Sequence, residues 1–231
     1  LVDPTPVPAG TVVAADGTGV RGAERVWSIP DKGFTDSEAG QAAVDTAIDK
    51  TLERLGRRVE GESNEDGNHG RLAVAFSGGV DSGLVAAATP NSPCYVAGFD
   101  GCHDVAAARE AAKEMGREAD LHVVEITHDD LVRAIRAVAQ ATGRRNPMDI
   151  AIAVPLYLTA EAAAANGAER LAVGQGADEL FGGYSKVVKP AEESRVDADT
   201  VRGAQIEMIQ TLPGQLERDV LALRAAGVEP V

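Results

Sequence analysis

The 231-residue chain carries 36 acidic against 22 basic residues, a net charge of −14. Its 44% hydrophobic content suffices for one sizeable α/β core, or a core with a small appendage. Lysine is confined to Lys32, Lys50, Lys113, Lys186 and Lys189, so the acidic surface argues against a polyanion, nucleic acid included, as the main partner.

Such a surface predicts a halophilic protein working in a cytoplasm of high salt, where repulsion between carboxylates is screened. No run of 18 apolar residues is present, so no membrane span is predicted. Aromatic residues make up only 3%, which predicts a core of Ala, Val, Leu and Ile.

Residues 1–33 are rich in Pro and Gly. Residues 11–14 and 25–29 read as two short strands, with Asp16-Gly17 as a hairpin signal between them. They predict a small β-ribbon over 1–33, ahead of a main domain over 34–231. Residues 35–59 predict an amphipathic helix. Thr35 and Glu38 have capping-box spacing, and Val44, Ile48, Leu52, Leu55 and Val59 form one apolar stripe. A polar loop over 60–70 follows, with His69 read as solvated.

Leu72-Ala73-Val74-Ala75-Phe76 reads as a buried parallel strand. Further strands are expected at 95–99, 121–126 and 170–173. Helices are expected at 104–115, capped by Asp104 and stopped by Gly116, and at 131–141, ended by Gly143. A third lies at 149–166, where Pro155 should kink the helix or mark its first turn. Residues 188–203 read as a polar flap. Residues 205–227 read as two helices broken at Pro213, with Arg218 and Arg224 solvated. Cys94 and Cys102 lack redox or zinc spacing and read as packing or surface thiols.

Strands alternating with helices predict an α/β fold, a doubly wound parallel sheet covered on both faces. A ligand then belongs at the carboxyl ends of the strands, where the strand order reverses. The first main strand should border that point, with the 170–173 strand on its other side.

Two glycine-rich motifs leave those two strands. The first is Ser77-Gly78-Gly79-Val80-Asp81-Ser82, running into a helix. Its glycines let backbone approach a ligand, and its N–H groups and helix dipole favour an anion. Asp81 would repel that anion unless a cation, ordinarily magnesium, lies between them. The second is Gly174-Gln175-Gly176-Ala177-Asp178-Glu179-Leu180-Phe181-Gly182-Gly183-Tyr184. If the strands are neighbours, Asp81 and Asp178 converge into a magnesium–pyrophosphate clamp. The bland reading of each motif is a plain glycine turn; the full pattern in a strand–turn–helix context weighs against it.

Residues 77–82 resemble the pyrophosphate-binding loop (PP-loop) of the ATP pyrophosphatases. With the second motif about ninety residues further on, residues 70–190 resemble the synthetase domain of the asparagine synthetases. That resemblance implies an AMP-forming amide ligase using ATP and magnesium. A small-molecule carboxylate, aspartate or similar, would be adenylated and then attacked by ammonia. By the same likeness Ser77, Gly78, Gly79, Asp81 and Ser82 would bind the ATP phosphates, with Gly174 and Gly176 counted in the nucleotide site. Asp81 and Asp178 would hold magnesium and take part in catalysis, and Gly98 and Phe99 would border the adenine. Pro155-Leu156-Tyr157-Leu158 resembles a family helix.

The departures are specific. Gln175 stands where the family usually has a Glu, a candidate base for the incoming ammonia, and an amide cannot take a proton. Asp149 and Ala151 stand where a Thr and an Arg precede the family helix. The family's glutaminase begins with a nucleophilic Cys; here Leu1 comes first, so no glutaminase activity is expected from this chain. Nitrogen would come from free ammonia or a separate glutaminase subunit. The family places a Lys beyond the position of Val231, so the expectation is that either the chain is a fragment or Lys186 or Lys189 substitutes. A homo-oligomer is left open. The alternatives are a PP-loop tRNA-modifying enzyme and a non-catalytic nucleotide-binding subunit.

Overall fold

The computed structural model describes residues 7–8, 10–28, 33, 36–60, 71–183 and 198–231. The readings placed on Ile29, Thr35, the 61–70 loop with His69, Tyr184, Lys186, Lys189 and most of the 188–203 flap lie outside those residues. The chain divides into two compact units, Leu1–Ala43 with Gly176–Gln215, and Val44–Gln175 with Leu216–Val231.

In the first unit β1 (Thr11–Asp16) and β2 (Gly19–Arg25) pair antiparallel as the expected hairpin. The Asp16 carboxylate accepts the Thr18 N–H and hydroxyl, both at 2.8 Å. That tight turn starts the second strand at Gly19, so β2 ends at Arg25 where the pattern had it begin. Helix α1 (Ser37–Glu60) starts on Asp36, whose carboxylate accepts from the N–H groups of Glu38 and Ala39 at 3.2 and 3.3 Å.

The second unit is built on β3 (Leu72–Ala75), β4 (Cys94–Gly98), β5 (Leu121–Glu125), β6 (Arg170–Ala172) and β7 (Glu229–Pro230). They form an all-parallel sheet in the order β5-β4-β3-β6-β7. Between them run α2 (Val80–Ala88), α3 (His103–Glu114), α4 (His128–Thr142) and α5 (Pro147–Ala165). Alternate strand residues face opposite ways. Val74, Cys94 and Val96 meet Ala86 of α2 and Val105, Ala108 and Ala112 of α3. On the other face Ala97 joins a cluster with Ala134, Val138 and Leu158, and Tyr95 one with Ala160, Ala163 and Leu223. Alanine at these contacts lets helices approach the sheet closely, which explains a core with few aromatics. Helices on both faces make the sheet doubly wound.

Helix starts follow local chemistry that hydrophobic spacing does not report. Thr127 and Asp130 form a reciprocal capping box, so α4 begins at His128 instead of Leu131. The Asn146 side chain accepts from the Met148 N–H at 2.9 Å and Pro147 takes the first position, so α5 begins two residues early. Pro155 therefore sits in the helix interior, not in its first turn. Asp104 falls inside the first turn of α3, after Cys102 at the cap. By length and composition α5 could cross a membrane, yet Ala153, Val154, Tyr157 to Ala160 and Ala163 are buried in this fold.

Two expectations are overturned at the C-terminal end. Helix α7 (Ala198–Ala225) runs unbroken through Pro213. A proline removes one N–H and crowds one carbonyl, but long flanks can continue the ladder on either side. Arg218 is buried, not solvated. Its Nε and Nη2 donate to the two Asp219 carboxylate oxygens at 2.7 and 3.0 Å, and Nη1 to Asp149 Oδ1 at 3.3 Å. Burial works against its charge; the two carboxylates outweigh that and raise its pKa above the ordinary value. Arg224 is exposed and pairs with Glu229.

Candidate functional site

The Phe76 N–H donates to Tyr95 O at 2.8 Å, carrying the sheet one residue past β3. The chain then turns at Gly78, with φ +79°. A Cβ there would lie 2.5 Å from the carbonyl carbon and oxygen of Ala107. Glycine is thus required twice, for the backbone angle and for close approach to α3. Gly79 caps α2 in an extended conformation. Ser82 Oγ donates to Gly79 O at 3.1 Å and lies 3.3 Å from Ser77 Oγ. The Gly79 N–H reaches Ser77 Oγ at 3.4 Å.

The first bond of the α2 ladder runs from Gly83 N–H to Gly79 O at 2.9 Å. The N–H groups of residues 80–82 therefore precede the ladder, at the positive end of the helix dipole. At the other end of α2, buried Arg117 donates to Ala86 O at 2.6 Å and to Ser92 O. A cation at the C-terminus complements the same dipole and fixes the helix whose N-terminus faces the loop.

Strand β6 pairs with β3, Ala73 opposite Leu171 and Val74 opposite Ala172, so the two motifs leave the sheet at one edge. A Cβ on Gly174 would sit 3.0 Å from Ser82 N and 3.1 Å from Asp81 Cβ. Gly174 thus packs directly on the first turn of α2. Since β4 and β5 lie on one side of β3, and β6 and β7 on the other, this is where the strand order reverses.

A cavity of about 200 Å³ opens there. Ser77, Gly79, Asp81, Ser82, Gly174 and Gln175 line it from the strand ends. Tyr95, Asp104 and, from α5, Pro155, Leu156 and Thr159 complete the wall. Gly78 shapes the loop from behind. Gly98 and Phe99 fall outside this cavity; they line a second one with Cys102, Val105 and Arg109. Gly176 and Asp178 belong to the other compact unit. There Gly176, at φ +96°, caps the short helix α6 (Ala177–Phe181), Asp178 is exposed and Glu179 is buried.

The electrostatics suit an anion with a bridging cation. Asp81 is half-buried beside helix N–H groups that attract negative charge. Its carboxylate and the Ser77 and Ser82 hydroxyls are hard oxygen donors. Among the described residues no three His, Cys, Asp or Glu side chains gather into a metal cage. An ion held here would complete its shell from water and ligand oxygens, which is magnesium's habit. Burial pushes the Tyr95 phenol up, partly offset by its hydrogen bond with Asn166, and its ring stacks on His122 at 4.6 Å. Tyr95 is therefore a neutral wall. Burial likewise pushes the Cys94 thiol up, as expected of a packing thiol.

Sequence reasoning missed Tyr95, Asp104 and Thr159 as cavity residues. Asp104 was assigned to a helix cap. Thr159 carried a usable signal: it is the one hydroxyl in the apolar run from Ile150 to Ala160 apart from the Tyr157 phenol.

Comparison with known proteins agrees with the geometry. The asparagine synthase family profile matches residues 68–229. A candidate glutamine-hydrolysing asparagine synthetase of Methanocaldococcus jannaschii is 29% identical over 162 residues, 69% of this chain and 29% of the relative. Asparagine synthetase B of Escherichia coli is 28% identical over 147 residues, 56% of this chain and 26% of the relative. The nodule asparagine synthetase of Pisum sativum is 29% identical over 145 residues, 57% and 24%. The chain spans 24% to 29% of the length of these relatives. Since the profile covers well over half of the sequence, the chain belongs to the asparagine synthase family.

Proposed function

We propose that the chain is the nucleotide-activating part of an ATP-dependent, AMP-forming amide ligase. The observation that carries this reading is the meeting of the 77–82 loop with Gly174 and Gln175 at one cavity, where the sheet order reverses. The loop N–H groups and the Ser77 and Ser82 hydroxyls hold the β- and γ-phosphates and stabilise pyrophosphate as it leaves. Asp81 would hold magnesium, which would neutralise charge on the phosphates. A carboxylate, aspartate or similar, attacks the α-phosphate; ammonia then displaces AMP. The relatives named above are glutamine-hydrolysing, and here nitrogen comes as free ammonia or from a separate glutaminase subunit.

Two observations favour a second reading, nucleotide binding with little amide formation. Gln175 lines the cavity without the ability to take a proton, and the Asp149 carboxylate is engaged by Arg218. One assay separates the two. The purified chain, given ATP, magnesium and aspartate, should exchange labelled pyrophosphate into ATP, and Asp81→Asn should abolish that exchange. Gln175→Glu should speed amide formation by about 10² or more while leaving exchange nearly unchanged. Exchange undiminished in Asp81→Asn would refute the site. Fast amide synthesis by the natural chain at pH 7, insensitive to Gln175→Ala, would refute the second reading.

A further inference from the structure

Threonine in a helix usually satisfies its hydroxyl on the carbonyl one turn back. Thr51 donates to Ala47 O at 2.8 Å, Thr89 to Val85 O at 2.9 Å and Thr142 to Val138 O at 2.7 Å. Thr211 does the same on Met208 O at 2.9 Å. Thr159 lies in the interior of α5 and is only 5% exposed. Among the described residues its hydroxyl has no hydrogen-bond partner, and it lines the cavity beside the 77–82 loop. Ser92 Oγ is the one fully buried side-chain oxygen without a partner among the described residues, so the Thr159 oxygen is open to the cavity and left for a ligand or water to complete.

The chemistry of the missing partner follows from the wall around it. The loop end of the cavity is polar, with Ser77, Asp81 and Ser82; α5 contributes Pro155 and Leu156 beside Thr159, and no cation. One neutral hydroxyl cannot offset the burial of a phosphate or carboxylate there. It matches a neutral polar group. We infer that Thr159 is a specificity-determining residue that hydrogen-bonds a ribose hydroxyl of the bound nucleotide. This rests on the nucleotide reading above and goes further, assigning the α5 wall to the sugar and leaving the phosphates to the loop.

The test uses the whole chain, with Thr159→Val, which removes the hydroxyl at nearly constant shape, and Thr159→Ser, which keeps it. Calorimetry measures ATP, 2′-deoxy-ATP, 3′-deoxy-ATP and inorganic tripolyphosphate, with magnesium. Thr159→Val should bind ATP about tenfold more weakly, the size of one good neutral hydrogen bond. Tripolyphosphate binding should be unchanged, and Thr159→Ser should restore ATP affinity. One deoxy-nucleotide should bind the natural chain about tenfold more weakly than ATP and lose nothing further in Thr159→Val. Without ligand, Thr159→Val should melt at nearly the same temperature as the natural chain, because it removes a hydroxyl that bonds no protein group; a structural threonine would melt lower.

Equal loss for ATP and tripolyphosphate, or no loss for either, would overturn the inference while leaving the nucleotide site standing. Failure of the natural chain to bind ATP or tripolyphosphate would overturn both.

Discussion

In the β3–α2 loop, every special feature lies within one compact unit. Gly78 turns at positive φ against the Ala107 carbonyl, Ser77 and Ser82 brace each other, and Arg117 holds the far end of the helix. In the β6–α6 segment the features are divided. Gly174 and Gln175 stay with the sheet, and Gly174 rests on Ser82 and Asp81; Gly176, Asp178 and the rest of the motif belong to the other unit. The parts of the first motif constrain one another within one unit, whereas the residues of the second are divided between two units. Glycine substitutions read this difference directly, because each glycine faces a different obstacle.

The largest effect belongs to Gly78→Ala. The new Cβ meets backbone, which cannot swing aside, and the residue must hold φ +79°. Strain and overpacking together should cost about 3 kcal/mol in urea denaturation, and ATP binding should be lost even where the chain stays folded. A Gly78→Ala chain that folds with native stability would show that the loop does not sit against α3.

Gly174→Ala comes next. Its Cβ would stand 3.0 Å from Ser82 N, close enough to push the first turn of α2 by a few tenths of an ångström without blocking the fold. We expect a stability loss of about 1 kcal/mol and ATP affinity down by roughly tenfold, since the displaced N–H groups are the ones proposed to meet the phosphates. Unchanged ATP affinity would separate the second motif from the site, and the comparison would reduce to two unrelated turns.

The architecture was legible where physics is local and periodic. Apolar runs such as 72–76 and the regular alternation of strand and helix marked the parallel sheet, and the two strand-end motifs marked the point where its order reverses. What stayed hidden depends on single side chains acting across space. Arg218 is buried because Asp219 and Asp149 meet it, and the Asp149 contact spans two helices. Capping by Thr127 with Asp130, and by Asn146, shifted helix starts that hydrophobic spacing cannot date. Pro213 was read as a break because a proline's local cost is visible in sequence and the support of its flanks is not. In the site, the glycines and Asp81 announced themselves by pattern, whereas Thr159 became notable only when its hydroxyl proved to lack the bond its counterparts make.

The smallest expected effect, with the opposite sign, is the sharpest control on the first motif. Gly83 lies in the same glycine-rich stretch, four residues past Gly79, in the body of α2. Nothing stands within 4 Å of a Cβ there, and its φ is an ordinary one. Its N–H already bonds Gly79 O, and alanine keeps that bond. Alanine in place of a mid-helix glycine lowers the entropy of the unfolded chain, so Gly83→Ala should stabilise by about 0.5–1 kcal/mol. ATP affinity should not move, because Gly83 has no part in the loop's turn or in its packing on α3. If stability rises and affinity holds, the demand for glycine between β3 and the body of α2 rests on the turn at Gly78, where a Cβ would strike the backbone of α3. Should affinity fall while stability rises, the helix would have to flex at Gly83 to admit the phosphates, and the first motif could no longer be the rigid partner of the pair.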